Sequence, residues 1–165
     1  MKNIFKYTLF CASVFAVSAC NELPDEYNAV TESLCGEYKV TFETSENSAD
    51  WSYDDASNII ISNTSADDNT IFIIDAAQNV FGRIRLTSDP VTQTFAGQAD
   101  DEDPAENNAG TYTVSDGKII NDAVDIMIDD VHSSTFDSIY YKVITPKNET
   151  LYVHGHRTTG WENTL

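Results

Sequence analysis

Gly36-Glu37-Tyr38-Lys39-Val40-Thr41-Phe42 decides the fold. Tyr38, Val40 and Phe42 alternate with Glu37, Lys39 and Thr41, a period of two that puts apolar side chains on one face of a strand and polar ones on the other. Upstream the period is different. Leu23, Tyr27, Val30 and Leu34 fall at spacings of four, three and four, with Pro24 early and Asp25-Glu26 where a first turn would lie, so the spacing predicts one short amphipathic helix or a polar tether over residues 20–34.

Downstream the strand signal recurs between turn residues. Strands are expected at 58–63, 70–75, 80–88, 93–99, 110–114, 118–120, 123–129, 138–145 and 150–158. The segments 110–114 and 118–120 flank Asp116-Gly117, which reads as a type I′ hairpin because both central positions of that turn need positive φ. Pro146-Lys147-Asn148 joins the last two strands. About eight to ten short strands with no long helix after the first third predict an all-β fold, one antiparallel sandwich or barrel over residues 35–165, with a single barrel preferred. An eight-stranded barrel is just wide enough for packed side chains or one small ligand.

The N-terminus has the layout of an export signal. Lys2 and Lys6 precede a short apolar stretch over residues 7–17, and Val17-Ser18-Ala19-Cys20 sets small residues ahead of a cysteine. Residues 1–19 are therefore expected to leave as a lipoprotein signal peptide, with Cys20 acylated as the first residue of the mature chain. Acyl chains contribute about 0.8 kcal/mol per buried CH₂, and two or more give stable anchoring. Of the three cysteines, Cys11 leaves with the signal and Cys20 is spent on lipid, so Cys35 has no partner for an intrachain disulfide.

Loss of residues 1–19 removes two of the 9 basic residues and none of the 27 acidic ones, moving the formal charge from −18 to −20. Such a field repels nucleic acid and anionic lipid headgroups. The densest acidic run, Asp100-Asp101-Glu102-Asp103-Pro104-Ala105-Glu106, lacks the glycine that a calcium loop needs for its sharp turn and reads as a solvated loop. Gly-x-Ser-x-Gly and His-Glu-x-x-His are both absent, and no catalytic, metal or cofactor site is expected. His154 and His156 share one face of a strand and are read as surface or core residues and not as metal ligands, and His132 lies among acids. Trp51 and Tyr53, set among Asp50, Asp54, Asp55 and Asn58, could stack on a sugar.

The two ends of the β region carry a family resemblance. Thr31-Glu32-Ser33-Leu34-Cys35-Gly36-Glu37-Tyr38-Lys39-Val40 and Tyr152-Val153-His154-Gly155-His156-Arg157-Thr158-Thr159-Gly160-Trp161 resemble the Bacteroidota lipoprotein family called lipid-binding putative hydrolase. That family looks like a relative of the lipocalin-type calycin barrels. The resemblance implies that Gly36, Tyr38 and Arg157 close one end of a barrel, with Tyr38 where the family usually has Trp. His156 likewise stands where the family usually has an aromatic.

The expected function is a membrane-anchored lipoprotein whose barrel holds a small apolar or amphipathic, lipid-like ligand. Tyr38, Val40, Phe42, Phe72, Ile126, Ile128, Tyr141 and Val153 are its candidate wall. The alternative is a non-catalytic accessory at the outer membrane, periplasmic or surface-facing, that grips a partner protein or glycan through its loops. A hydrolase ranks last.

Overall fold

A computed structural model describes residues 29–46, 56–66, 68–105, 108–127 and 133–158. Eight strands close into an antiparallel barrel in sequence order: β1 Gly36–Glu43, β2 Ser57–Asn63, β3 Thr70–Asp75, β4 Arg83–Asp89, β5 Thr94–Asp100, β6 Thr111–Met127, β7 Ser133–Ile144 and β8 Thr150–Arg157. β1 pairs with β8 from Tyr38↔Arg157 to Glu43↔Tyr152, so no edge is left along the seam. A 3₁₀ turn, Glu32–Leu34, precedes β1 and buries Leu34 under the barrel. The rest of the expected helix, Cys20, Trp51, Tyr53, Ile128 and His132 lie outside the described residues.

The up-and-down order gives the barrel two distinct ends. At the closed end lie the 3₁₀ turn and the last residues of β8. At the other end, called the mouth below, lie the connections β1–β2, β3–β4, β5–β6 and β7–β8. The lumen between them is packed. Tyr38, Val40, Ile59, Ile61, Ile71 and Ile73 from β1–β3 meet Ile84, Leu86, Phe95, Val114, Ile119 and Ile139 from β4–β7, all at most 3% exposed. This is the side-chain-filled form of a small barrel.

The two strands expected on either side of Asp116-Gly117 are one. β6 runs through that dipeptide, and the ladder with β7 slips between Ser115 and Lys118. A type I′ turn needs positive φ at both central residues. Only Asp116 has it, at 56°, so the dipeptide makes a bulge and the strand continues. A second slip between Ile120 and Val124, with Asp122 at φ 50°, absorbs the expected break before 123. β4 also starts later than expected, at Arg83. The backbone amides of Ala77 and Val80 donate to the Asp75 carboxylate, and those of Gly82 and Arg83 donate to Asp101, which holds 76–82 as a turn.

Candidate functional site

The residues expected to close one end lie together. Arg157 Nη2 donates to the Cys35 carbonyl at 2.7 Å and to the Tyr38 hydroxyl at 3.2 Å, and its guanidinium carbon sits 5.5 Å from the Tyr38 ring centroid. Nη1 pairs with Asp137 at 3.0 Å. The Tyr38 hydroxyl in turn donates to the Leu34 carbonyl at 3.1 Å. Gly36 makes room: a Cβ there would stand 2.8 Å from Arg157 Nε. Burial, partly offset by Arg157, raises the Tyr38 pKa above its usual value, so the phenol keeps its proton. Cys35 is half-buried, and its thiol donates to the Thr31 carbonyl at 3.3 Å.

The expected ligand wall divides. Tyr38, Val40, Tyr141 and Val153 point into the lumen and are fully buried among the core side chains. Phe42 is half-buried and packs on the edge of that core. Phe72 does not belong to the wall. It stands opposite Arg85 in the β3–β4 ladder and faces outward, with the Arg83 and Arg85 guanidinium carbons 5.0 and 4.9 Å from its ring centroid. Its neighbours Ile71 and Ile73 take the inward positions instead. Ile126 is also outside the wall. It lies on the part of β6 that pairs only with β7, opposite Ser134, beyond the last β5–β6 pair at Lys118.

Concavities among the described residues open to solvent at two places of interest. One is a shallow groove of about 590 Å³ on the outer wall, floored by Ala96, Thr87 and Thr94. The other is a cleft of about 240 Å³ at the mouth, between the β3–β4, β5–β6 and β7–β8 connections. Val80, Tyr112 and Leu151 form its apolar side, and Asn79, Asn108, Lys147 and Glu149 its polar side. The cleft is built from rigid turns. The Tyr112 hydroxyl lies 2.7 Å from the Val80 and Asn108 carbonyls, tying two connections together. Asn108 Nδ2 donates to the Asn79 carbonyl at 3.4 Å. In the third connection the amides of Thr145 and Asn148 donate to the carbonyls of Glu149 and Thr145, and Pro146 packs against Gly110.

Beneath the cleft, Phe81 plugs the lumen. It is fully buried and meets Tyr112 edge to face at 5.7 Å. The carboxylates that set this plug were missed as structural residues: Asp75 and Asp101 precede turns, where a side-chain oxygen can accept amides a few residues on. Glu102 adds ion pairs to Arg83 at 3.3 Å and Arg85 at 3.1 Å. The acidic run is thus only partly a solvated loop.

Burial raises the Asp75 pKa above its usual 3.8 despite the amides it accepts. Between about 3.8 and the raised value the folded chain therefore holds a proton that the unfolded chain has lost, so Asp75 makes stability fall as pH rises through that window. Asp75→Asn removes this slope. The stability gap between wild type and variant, read from urea midpoints at pH steps across the window, is expected to shrink as pH rises; a constant gap would contradict burial as the dominant cause.

On the outer wall, the His154 ring lies 4.8 Å from that of Tyr140, and burial holds His154 below the ordinary imidazole value. His156 is buried, with its ring 6.0 Å from that of Phe136. Among the described residues, no group of three or more His, Cys, Asp or Glu could hold a metal ion.

A closed eight-stranded barrel with an arginine-sealed end and a half-apolar cleft at the other defines a small all-β domain of the ligand-binding barrel type. A family model described as lipid-binding putative hydrolase matches residues 23–162, and the chain belongs to that family. No curated protein matches it.

Proposed function

We propose that this chain is a lipid-anchored carrier: acyl chains on Cys20 hold it at the outer membrane, and the mouth cleft seats one end of a lipid-like ligand. The observation that carries this reading is the mouth cleft, solvent-open and half apolar, in a member of a lipid-binding family. The lumen does not compete for the ligand, because its wall residues are buried against one another. In sequence the anchor precedes β1, whose eight residues run from the closed end to the mouth along a strand of about 26 Å at roughly 3.3 Å per residue, tilted to the barrel axis. A formal charge of −20 disfavours docking on anionic headgroups, which leaves attachment to the acyl chains.

Ala109 lines the cleft and is exposed, so Ala109→Trp fills the site without touching the core. Displacement of a fluorescent acyl probe is expected to weaken about tenfold or more, or 1.4 kcal/mol. Unchanged probe binding in Ala109→Trp would refute the mouth as the site. Protease treatment of whole cells reads the facing: digestion means surface display, and protection means the periplasmic face.

A further inference from the structure

We infer that the mouth cleft reads a zwitterionic headgroup, an ammonium joined to a phosphate or carboxylate, at the end of an acyl chain; the inference rests on the carrier reading above. Size is the first reason. Pockets for drug-sized molecules run about 300–1,000 Å³, and at about 240 Å³ the cleft takes a headgroup and the first methylenes but no whole chain.

Charge is the second. Lys147 and Glu149 both line the cleft, two residues apart across a turn whose Asn148 has φ 64°. The Glu149 amide donates to Thr145 Oγ1 at 3.3 Å, which fixes the backbone between the two charges. One base and one acid two residues apart on a tied turn match a dipolar head, the ammonium toward Glu149 and the anionic group toward Lys147. Because this pairing cancels locally, the chain's overall field decides among simpler ligands. A purely anionic head meets a single lysine inside a strongly acidic protein, with Asp101, Glu102 and Asp103 on a neighbouring connection. A purely cationic head is drawn by that field but brings no anionic group for Lys147. A zwitterion carries no net charge and is penalised by neither.

The third reason is the remaining lining. The Asn79 and Asn108 carboxamides offer donors and acceptors to phosphate or hydroxyl oxygens. Val80 and Leu151 border them and take the methylenes next to the head.

The test titrates the purified chain, washed free of bound lipid, with dihexanoyl phosphatidylethanolamine, dihexanoyl phosphatidylglycerol and dihexanoylglycerol. The phosphatidylethanolamine is expected to bind at least tenfold tighter than either of the others. Lys147 and Glu149 are exposed, so Lys147→Gln, Glu149→Gln and the double variant should fold normally, as circular dichroism checks. The double variant is expected to bring the ratio between the zwitterionic and anionic lipids close to one. Free phosphoethanolamine and free glycine, added as competitors, separate a lipid headgroup from a soluble zwitterion as the source. Equal binding of all three lipids overturns the headgroup inference and leaves the carrier reading standing. A preference that survives in the double variant also overturns it. Binding of none of the three overturns both.

Discussion

Phe81→Ala is expected to lower stability by about 3–5 kcal/mol, the range for removing a buried phenylalanine, with the loss in the upper half. The magnitude turns on whether the surroundings can collapse into the hole. Phe81 is fully buried at the base of the mouth, edge to face against Tyr112. The connection that carries it is held on both sides: Asp75 accepts the amides of Ala77 and Val80, and Asp101 accepts those of Gly82 and Arg83 at 2.7 and 2.8 Å. Gly82 also packs directly against the backbone of Asp103 in the β5–β6 connection, with no room there even for a Cβ. A turn pinned in this way keeps its backbone in place and leaves the cavity open. For a domain of ordinary stability, about 5–15 kcal/mol, such a loss is a large fraction of the total. Urea unfolding would show it as a lower midpoint at unchanged slope. A loss below about 1.5 kcal/mol would mean that the turn collapses. The same variant separates two ligand sites: acyl-probe affinity that rises in Phe81→Ala would move the ligand from the mouth into the lumen.

The barrel was largely legible because alternation survives wherever one face of a strand meets water. Tyr38 and Val40 between Glu37, Lys39 and Thr41 read directly as a strand, and β1 is that strand. The reading failed where both faces are apolar. In Thr70–Asp75 the run Ile71-Phe72-Ile73-Ile74 carries no phase of its own, and the inward set is fixed only by the partner strand. Phe72 stands opposite Arg85 and Ile74 opposite Arg83, so the outward phase was written in β4 and needed the ladder to be read. Asp116-Gly117 misled for another reason. The dipeptide permits a turn but does not require one, and the pairing of Lys118 with both Thr94 and Tyr140 holds it inside the sheet. The mouth cleft was not legible at all. Its lining comes from residues as far apart in sequence as Asn79 and Leu151, and only closure of the barrel brings them together. No local pattern marks Lys147 and Glu149 as more than turn residues.

Gly155→Ala should be strongly disruptive for a single added methyl. Gly155 sits opposite Val40 in the β1–β8 ladder, on the seam that closes the barrel. An added Cβ would lie 2.1 Å from the Lys39 carbonyl oxygen and 2.8 Å from Val40 Cα, so two of its close neighbours are backbone. Overpacking typically costs about 1–3 kcal/mol when side chains can turn aside. Here the relief must come from the seam itself, and separating β1 from β8 would expose two edges and unseat Arg157. The expected loss is therefore above about 3 kcal/mol. Gly36→Ala gives the contrast that tests the reasoning. Its Cβ would meet Arg157 Nε at 2.8 Å, the flexible end of a side chain, and shifting Arg157 weakens its contacts to Cys35 and Asp137 without opening the ladder. That loss should stay near 1–2 kcal/mol, by the ordinary scale of overpacking. Hydrogen exchange should separate the two, with the β1 and β8 amides losing protection in Gly155→Ala and keeping it in Gly36→Ala. Equal losses, or the reverse order, would mean that closure depends on the arginine more than on the seam.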